Sequence, residues 1–143
     1  MAGKFKPRIP SPSLRERKRK FENISRHLMR KHWPNFSHSK QNDIHLYKGE
    51  IVSQIYEISY KVEITFTSFS SDPKVRISDP VIPKEVPHLN SDGSLCLYKP
   101  TQINWSSLLF RIDSHIIPWT ATWLYFYEVW EKTGDWKGPE APH

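Results

Sequence analysis

The stretch YEISYKVEITFT, residues 56–67, decides the fold. Tyr56, Ile58, Tyr60, Val62, Ile64 and Phe66 alternate with Glu57, Ser59, Lys61, Glu63, Thr65 and Thr67. A strict period of two puts every large apolar side chain on one face of an extended chain and every polar one on the other. That pattern predicts a half-buried strand of an antiparallel sheet. Downstream, SFSSDP (68–73) reads as a turn, and KVRIS (74–78) alternates again with Val75 and Ile77 on the same side. Upstream, DIHLYKGE (43–50) is a shorter strand candidate. Three or four antiparallel strands therefore occupy the middle of the chain.

A helix precedes them. Ser13 caps a helix that begins at Leu14, with Glu16 at the third helical position, a reciprocal capping box. Leu14, Phe21, Ile24, Leu28 and Met29 fall largely on one face, and Arg15, Lys18, Arg19 and Arg26 mostly off it. Pro34 requires the helix to end before it. Residues 1–12 hold three of the twelve prolines and read as a flexible basic arm, with one domain over residues 13–143.

After the strands, Pro80, Pro83, Pro87 and Pro100 exclude an ordinary helix or central strand. NSDG (90–93) is a turn signal, and the chain's one cysteine, Cys96, closes this long proline-stiffened loop. Loops of such length inside a compact domain are usually functional or disordered, and the prolines and apolar residues favour order. Leu95 and Leu97 flank Cys96, so if the leucines face inward the thiol faces outward. The bland alternative is a small buried hydrophobe. Beyond Trp105 the pattern is helical. SSLLFRIDSHII (106–117) predicts one helix and WTATWLYFYEVWEKTG (119–134) a second, with Pro118 at its start and Gly134 as C-cap. Trp119, Trp123, Phe126 and Trp130 form a core stripe, with Tyr125 and Tyr127 off it, and DWKGPEAPH (135–143) reads as an irregular tail.

Composition sets the outer bounds. The 143 residues fit one domain with a real core. With 37% hydrophobic and 13% aromatic residues, the chain belongs to the globular class. One cysteine forbids an internal disulfide and fits a reducing compartment. The N-terminus lacks the apolar core of a signal peptide, and IIPWTATWLYFYEVW (116–130) falls short of the ~20 residues of a membrane span. A soluble, cytoplasmic protein is expected. The net charge of +6 is concentrated in KFKPR (4–8) and RERKRK (15–20), which permits contact with nucleic acid, an acidic protein or a membrane surface without choosing among them. No recognisable nucleic-acid motif accompanies it. His27 and His32 are five apart, wrong for one helical face, and no other cluster has metal-ligand spacing, so neither a metal nor a cofactor is expected.

The order of helix, antiparallel meander, long cysteine loop and helices resembles the ubiquitin-conjugating E2 enzymes, an α+β fold. HLNSDGSLCL (88–97) is similar to their active-site stretch, in which a His-Pro-Asn triplet precedes a turn ending Gly-x-(Ile/Leu)-Cys-Leu. Trp105, nine residues after Cys96, stands close to the family's tryptophan. Two positions depart from the pattern. Val86-Pro87-His88 replaces the triplet, so His88 stands where the family has its asparagine, and Tyr98 stands where it often has an aspartate. The aromatic C-terminal region looks like that of the bacterial E2-like proteins of CBASS antiphage operons. This resemblance implies a catalytic Cys96 that carries the C-terminus of a cGAS-like nucleotidyltransferase as a thioester and passes it to a target. The transition-state oxyanion needs a fixed donor. His88 and Asn90 are the two candidates, and His88 is also a candidate base. The basic face of the first helix reads first as a solvated surface; the alternative implied by the resemblance is that it docks an E1-like activating enzyme, as the family's first helix does, although some members of this branch are encoded without one. A non-catalytic E2-like binding module and a Cys/His hydrolase of such conjugates are the alternatives.

Overall fold

In the computed structural model, residues 13–67, 72–97 and 111–139 are described. The expected basic arm at 1–12, the 68–71 part of the predicted turn, Tyr98, Trp105 and the first part of the predicted helix at 106–110 lie outside them.

Helix α1 spans Leu14–His32, and its capping box forms as expected. The Glu16 backbone N–H donates to Ser13 Oγ at 3.2 Å, and the Ser13 N–H donates to Glu16 Oε2 at 3.3 Å. Four strands follow: β1 (Ser37–Gln41), β2 (Ile44–Val52), β3 (Ser59–Thr67) and β4 (Lys74–Asp79). They pair in chain order as an antiparallel meander, β1-β2-β3-β4. Strand β1 has no apolar alternation, with the sequence Ser-His-Ser-Lys-Gln. It is made by the two-residue hairpin at Asn42-Asp43, where Asn42 takes φ 56°.

Strand β3 is shorter than the period-two run. Glu57 adopts φ 55°, and Ser53 closes a turn on Ile58 through both its backbone and its hydroxyl. Ile58 is therefore exposed and the inward series starts at Tyr60, continuing through Val62, Ile64 and Phe66. Across the sheet these residues meet Ile51, Gly49, Tyr47 and His45 of β2, and Val75 and Ile77 of β4. All lie on one face, against which both helices pack. The opposite face carries Lys48, Glu50, Lys61 and Glu63.

Helix α1 meets this face through Phe21, Ser25 and Met29, a clean i, i+4, i+8 line, with Ser25 Oγ 3.4 Å from the Tyr47 hydroxyl. The single apolar face expected for α1 is split. Leu14 and Ile24 are exposed, because a helix laid on a flat sheet buries one row and leaves the neighbouring row at the rim.

The predicted break between two C-terminal helices is a continuous path. A π-helical turn, Ile112–Ile116, runs straight into α2, Ile117–Thr133. Pro118 sits in the first turn of α2, just after the π-helical turn. Helix α2 buries Ile117, Thr120, Trp123, Leu124, Tyr127 and Glu128. Tyr127, expected off the core, is inside it, while Trp119, Phe126 and Trp130 are only partly buried. The stripe is rotated because the Glu128 carboxylate is drawn inward. It accepts from the Tyr60 hydroxyl at 2.9 Å and from the Tyr56 backbone N–H at 3.3 Å. Burial and then this hydrogen bond push the Tyr60 phenol far above its ordinary pKa, so it stays a donor. Gly134 ends α2 as expected, at φ 78°, with its N–H on Trp130 O. No helix among the described residues is long and apolar enough to cross a membrane.

Gly49 faces the core, and a Cβ there would run into the Phe36 ring. Gly49→Ala should cost about 1–3 kcal/mol by overpacking. Chemical denaturation should show a lower midpoint with an unchanged m-value. A variant as stable as the parent would show that the Phe36 ring yields freely.

A second test concerns two histidines. His38 Nε2 lies 2.9 Å from His45 Nδ1, and His45 Nε2 lies 3.2 Å from Glu22 Oε1, which also accepts from Lys40 at 2.8 Å. Burial, then the neighbouring charges of His45 and Arg26, hold His38 down to about 4. Burial also lowers His45, against the pull of Glu22. Folded pKa values below the unfolded value of ~6.5 mean that the unfolded chain binds more protons as pH falls. The stabilisation is present above that value and is lost downward toward about 4. Melting temperature should fall between pH 7.5 and pH 5, and His38→Gln should flatten the slope. An equal slope in the variant would assign the pH dependence to other groups.

Candidate active site

The loop after β4 closes on itself as a small hairpin. Leu89 and Leu95 form an antiparallel bridge, the Asn90 N–H donates to Ser94 O at 2.8 Å, and the Cys96 N–H donates to His88 O at 2.9 Å. The register places His88 opposite Cys96 and Asn90 opposite Ser94. Gly93, at φ 86°, makes the turn that the NSDG signal predicted.

Three ties hold this hairpin to the body. The Leu95 N–H donates to Val75 O at 2.8 Å, which extends β4 pairing to the residue before the thiol. Asp92 Oδ1 accepts from the Ser94 N–H at 2.9 Å and the Ser94 hydroxyl at 2.6 Å. Its Oδ2 accepts from Lys74 at 2.7 Å and Arg76 at 3.3 Å. The Lys74 and Ser94 hydrogen bonds hold the Asp92 carboxyl well below the usual carboxylate range. Asp92 thus anchors the turn to β4. The third tie is apolar: Val86 and Leu95 are buried, and Leu89 and Leu97 pack against the core.

Cys96 is half-buried between an inward Leu95, 5% exposed, and a partly buried Leu97. The thiol thus sits at the edge of a fixed loop.

His88 is held in the left-handed region, φ 60°. A non-glycine residue keeps that conformation only where its surroundings determine it. Here its carbonyl accepts from the Cys96 N–H and from Trp123 Nε1, the latter at 3.0 Å. Its imidazole lies against Trp136, with ring centroids 5.0 Å apart. The structure therefore brings His88 to the position opposite Cys96. Asn90 lies in the same hairpin, but its amide is turned into the loop, donating to Ser94 Oγ at 3.0 Å and Leu95 O at 3.4 Å. Among the described residues no three side chains of metal-ligating type cluster.

Trp123 and Trp136 were not legible as parts of this site. Trp123 was expected only in the core stripe, and Trp136 lay in a tail read as irregular. One signal was available for the second: a tryptophan in a polar tail is rarely left in water, because tryptophan is highly buried on average.

No curated protein matches the chain. A family model described as the type II CBASS E2 protein matches residues 25–143, which includes every strand, the hairpin and helix α2. The chain therefore belongs to the E2 proteins of type II CBASS, the family of the antiphage operons.

Proposed function

We propose that this protein is an E2-like conjugating enzyme in which Cys96 carries the C-terminus of a cGAS-like nucleotidyltransferase as a thioester and passes it to an amine. The thiolate attacks the activated carboxyl carbon and expels its leaving group, forming a C–S bond. The acceptor amine then attacks the same carbon, a C–N bond forms, the amine gives up a proton, and the thiolate departs. A thiolate suits both steps, as nucleophile and as leaving group. The observation that carries the reading is the placement of the one thiol of an E2-family chain on a hairpin tied to β4, with His88 opposite it. His88 serves as donor to the oxyanion, and Asn90 is the second candidate. The rim of α1, with Ile24 exposed beside Arg19 and Lys20, offers an activating enzyme of E1 type an apolar side chain edged with positive charge. Work in the cytoplasm follows from this partnership.

The test is a non-reducing gel of the protein with a nucleotidyltransferase donor and an activating enzyme. A thiol-sensitive adduct is the expected result. The His88–Cys96 arrangement also suits a hydrolase of the conjugates. Single-turnover product analysis separates the two: transfer yields an amide, hydrolysis a released carboxylate.

A further inference from the structure

After Gly134 the chain turns back on helix α2. The Gly134 N–H bonds Trp130 O at 2.7 Å, Thr133 Oγ1 donates to Val129 O at 2.8 Å, and the Asp135 N–H donates back to Thr133 Oγ1 at 3.1 Å. This knot reverses the chain and lays Trp136 back along α2. Its indole stands 5.7 Å from Trp123, 6.2 Å from Phe126 and 5.0 Å from the imidazole of His88, tilted 48° to it.

His88 is thus gripped at both ends by the C-terminal part of the chain. Trp123 Nε1 pins its carbonyl, and Trp136 covers its ring. A backbone constraint alone would leave the imidazole free to turn about χ1 and χ2, and the second torsion of histidine has broad minima. A flat aromatic wall removes much of that freedom before the reaction begins. Resting on the transfer reading given above, we infer that Trp136 is a positioning residue: it holds the His88 imidazole in the orientation from which it meets the oxyanion at Cys96. The tail that carries it is a working part of the site, built from outside the cysteine loop.

The inference makes a specific demand. Trp136 acts through His88, so its loss matters only while His88 is present. The experiment charges Cys96 with donor, removes the activating system and follows single-turnover discharge to a small amine. Trp136→Ala should slow discharge by ~10–10²-fold, the scale of a misplaced catalytic group. Trp136→Phe, which keeps a flat ring, should restore most of the rate. In the His88→Ala background, Trp136→Ala should add nothing, a complete failure of additivity. Trp136→Leu provides the same comparison with apolar bulk retained over Trp123 and Phe126. A merely structural tryptophan would slow the His88→Ala chain as much as the parent, and that outcome overturns the inference. So does discharge of Trp136→Ala at the parent rate. A parent chain that forms no thioester at all fails the transfer reading itself, and the positioning role with it.

Discussion

Cys96→Ala should abolish the adduct with the donor, and Cys96→Ser should replace a reducible adduct by one that forms slowly and resists thiols. The reason begins in the chain. Leu95 is drawn into the core and its N–H is taken by Val75 O, so the backbone cannot rotate the next side chain inward without breaking both ties. The Cys96 N–H is in turn fixed on His88 O. A thiol held this way loses little entropy when it reacts. Serine fits the same space, but its hydroxyl is almost wholly protonated at neutral pH, so attack is slow. The oxyester it forms is also a poorer acyl donor than a thioester. Alanine leaves no nucleophile, and the sequence holds no second cysteine to replace it. Non-reducing and reducing gels of the three proteins, each with donor and activating enzyme, decide the matter. An adduct that survives Cys96→Ala, or a Cys96 inert to alkylation in the native protein, removes the enzyme reading and leaves a non-catalytic binding module.

What could be read from sequence followed the range of the interactions involved. The α1 cap needs only Ser13 and Glu16, three residues apart, and it formed as expected. The inward series Tyr60, Val62, Ile64 and Phe66 is a local alternation, and so is the turn around Gly93. The misses depend on distant partners. Glu57 breaks the period-two run because Ser53 closes a turn on Ile58, so that Ile58 points out where the pattern had it in. Tyr127 is buried because Glu128 beside it reaches across to Tyr60, 68 positions earlier in the chain. Strand β1 exists by pairing with β2 and has no apolar signature of its own. In the candidate site the same divide holds. Cys96 and His88 could be singled out from the spacing of one loop and its likeness to a family. The grip of Trp123 and Trp136 on His88 joins residues 35 and 48 positions apart, and no local pattern encodes it.

His88→Ala should leave the fold intact and slow transfer by ~10²–10³-fold, the usual cost of losing one oxyanion donor. The fold survives because what His88 contributes to the hairpin is its carbonyl, which alanine retains for the Cys96 N–H and Trp123 Nε1. Any residue with a Cβ pays the left-handed penalty of about 1–2 kcal/mol at φ 60°, histidine included, so alanine adds at most a fraction of it, a small stability change beside the lost donor. His88→Asn separates the two effects. Asparagine tolerates the left-handed region, keeps a donor on a short side chain, and is the residue the E2 family has at this place. Its expected discharge rate lies well above that of His88→Ala, with a melting temperature near the parent's. If His88→Ala transfers at the parent rate, the imidazole is incidental and Asn90 becomes the donor to test. The amide of Asn90 would then have to leave Ser94 Oγ and Leu95 O, so Asn90→Ala would loosen the hairpin as well as slow the reaction. If His88→Ala and His88→Asn are equally slow, what matters is a proton carried by the ring, and His88 acts as a base toward the incoming amine.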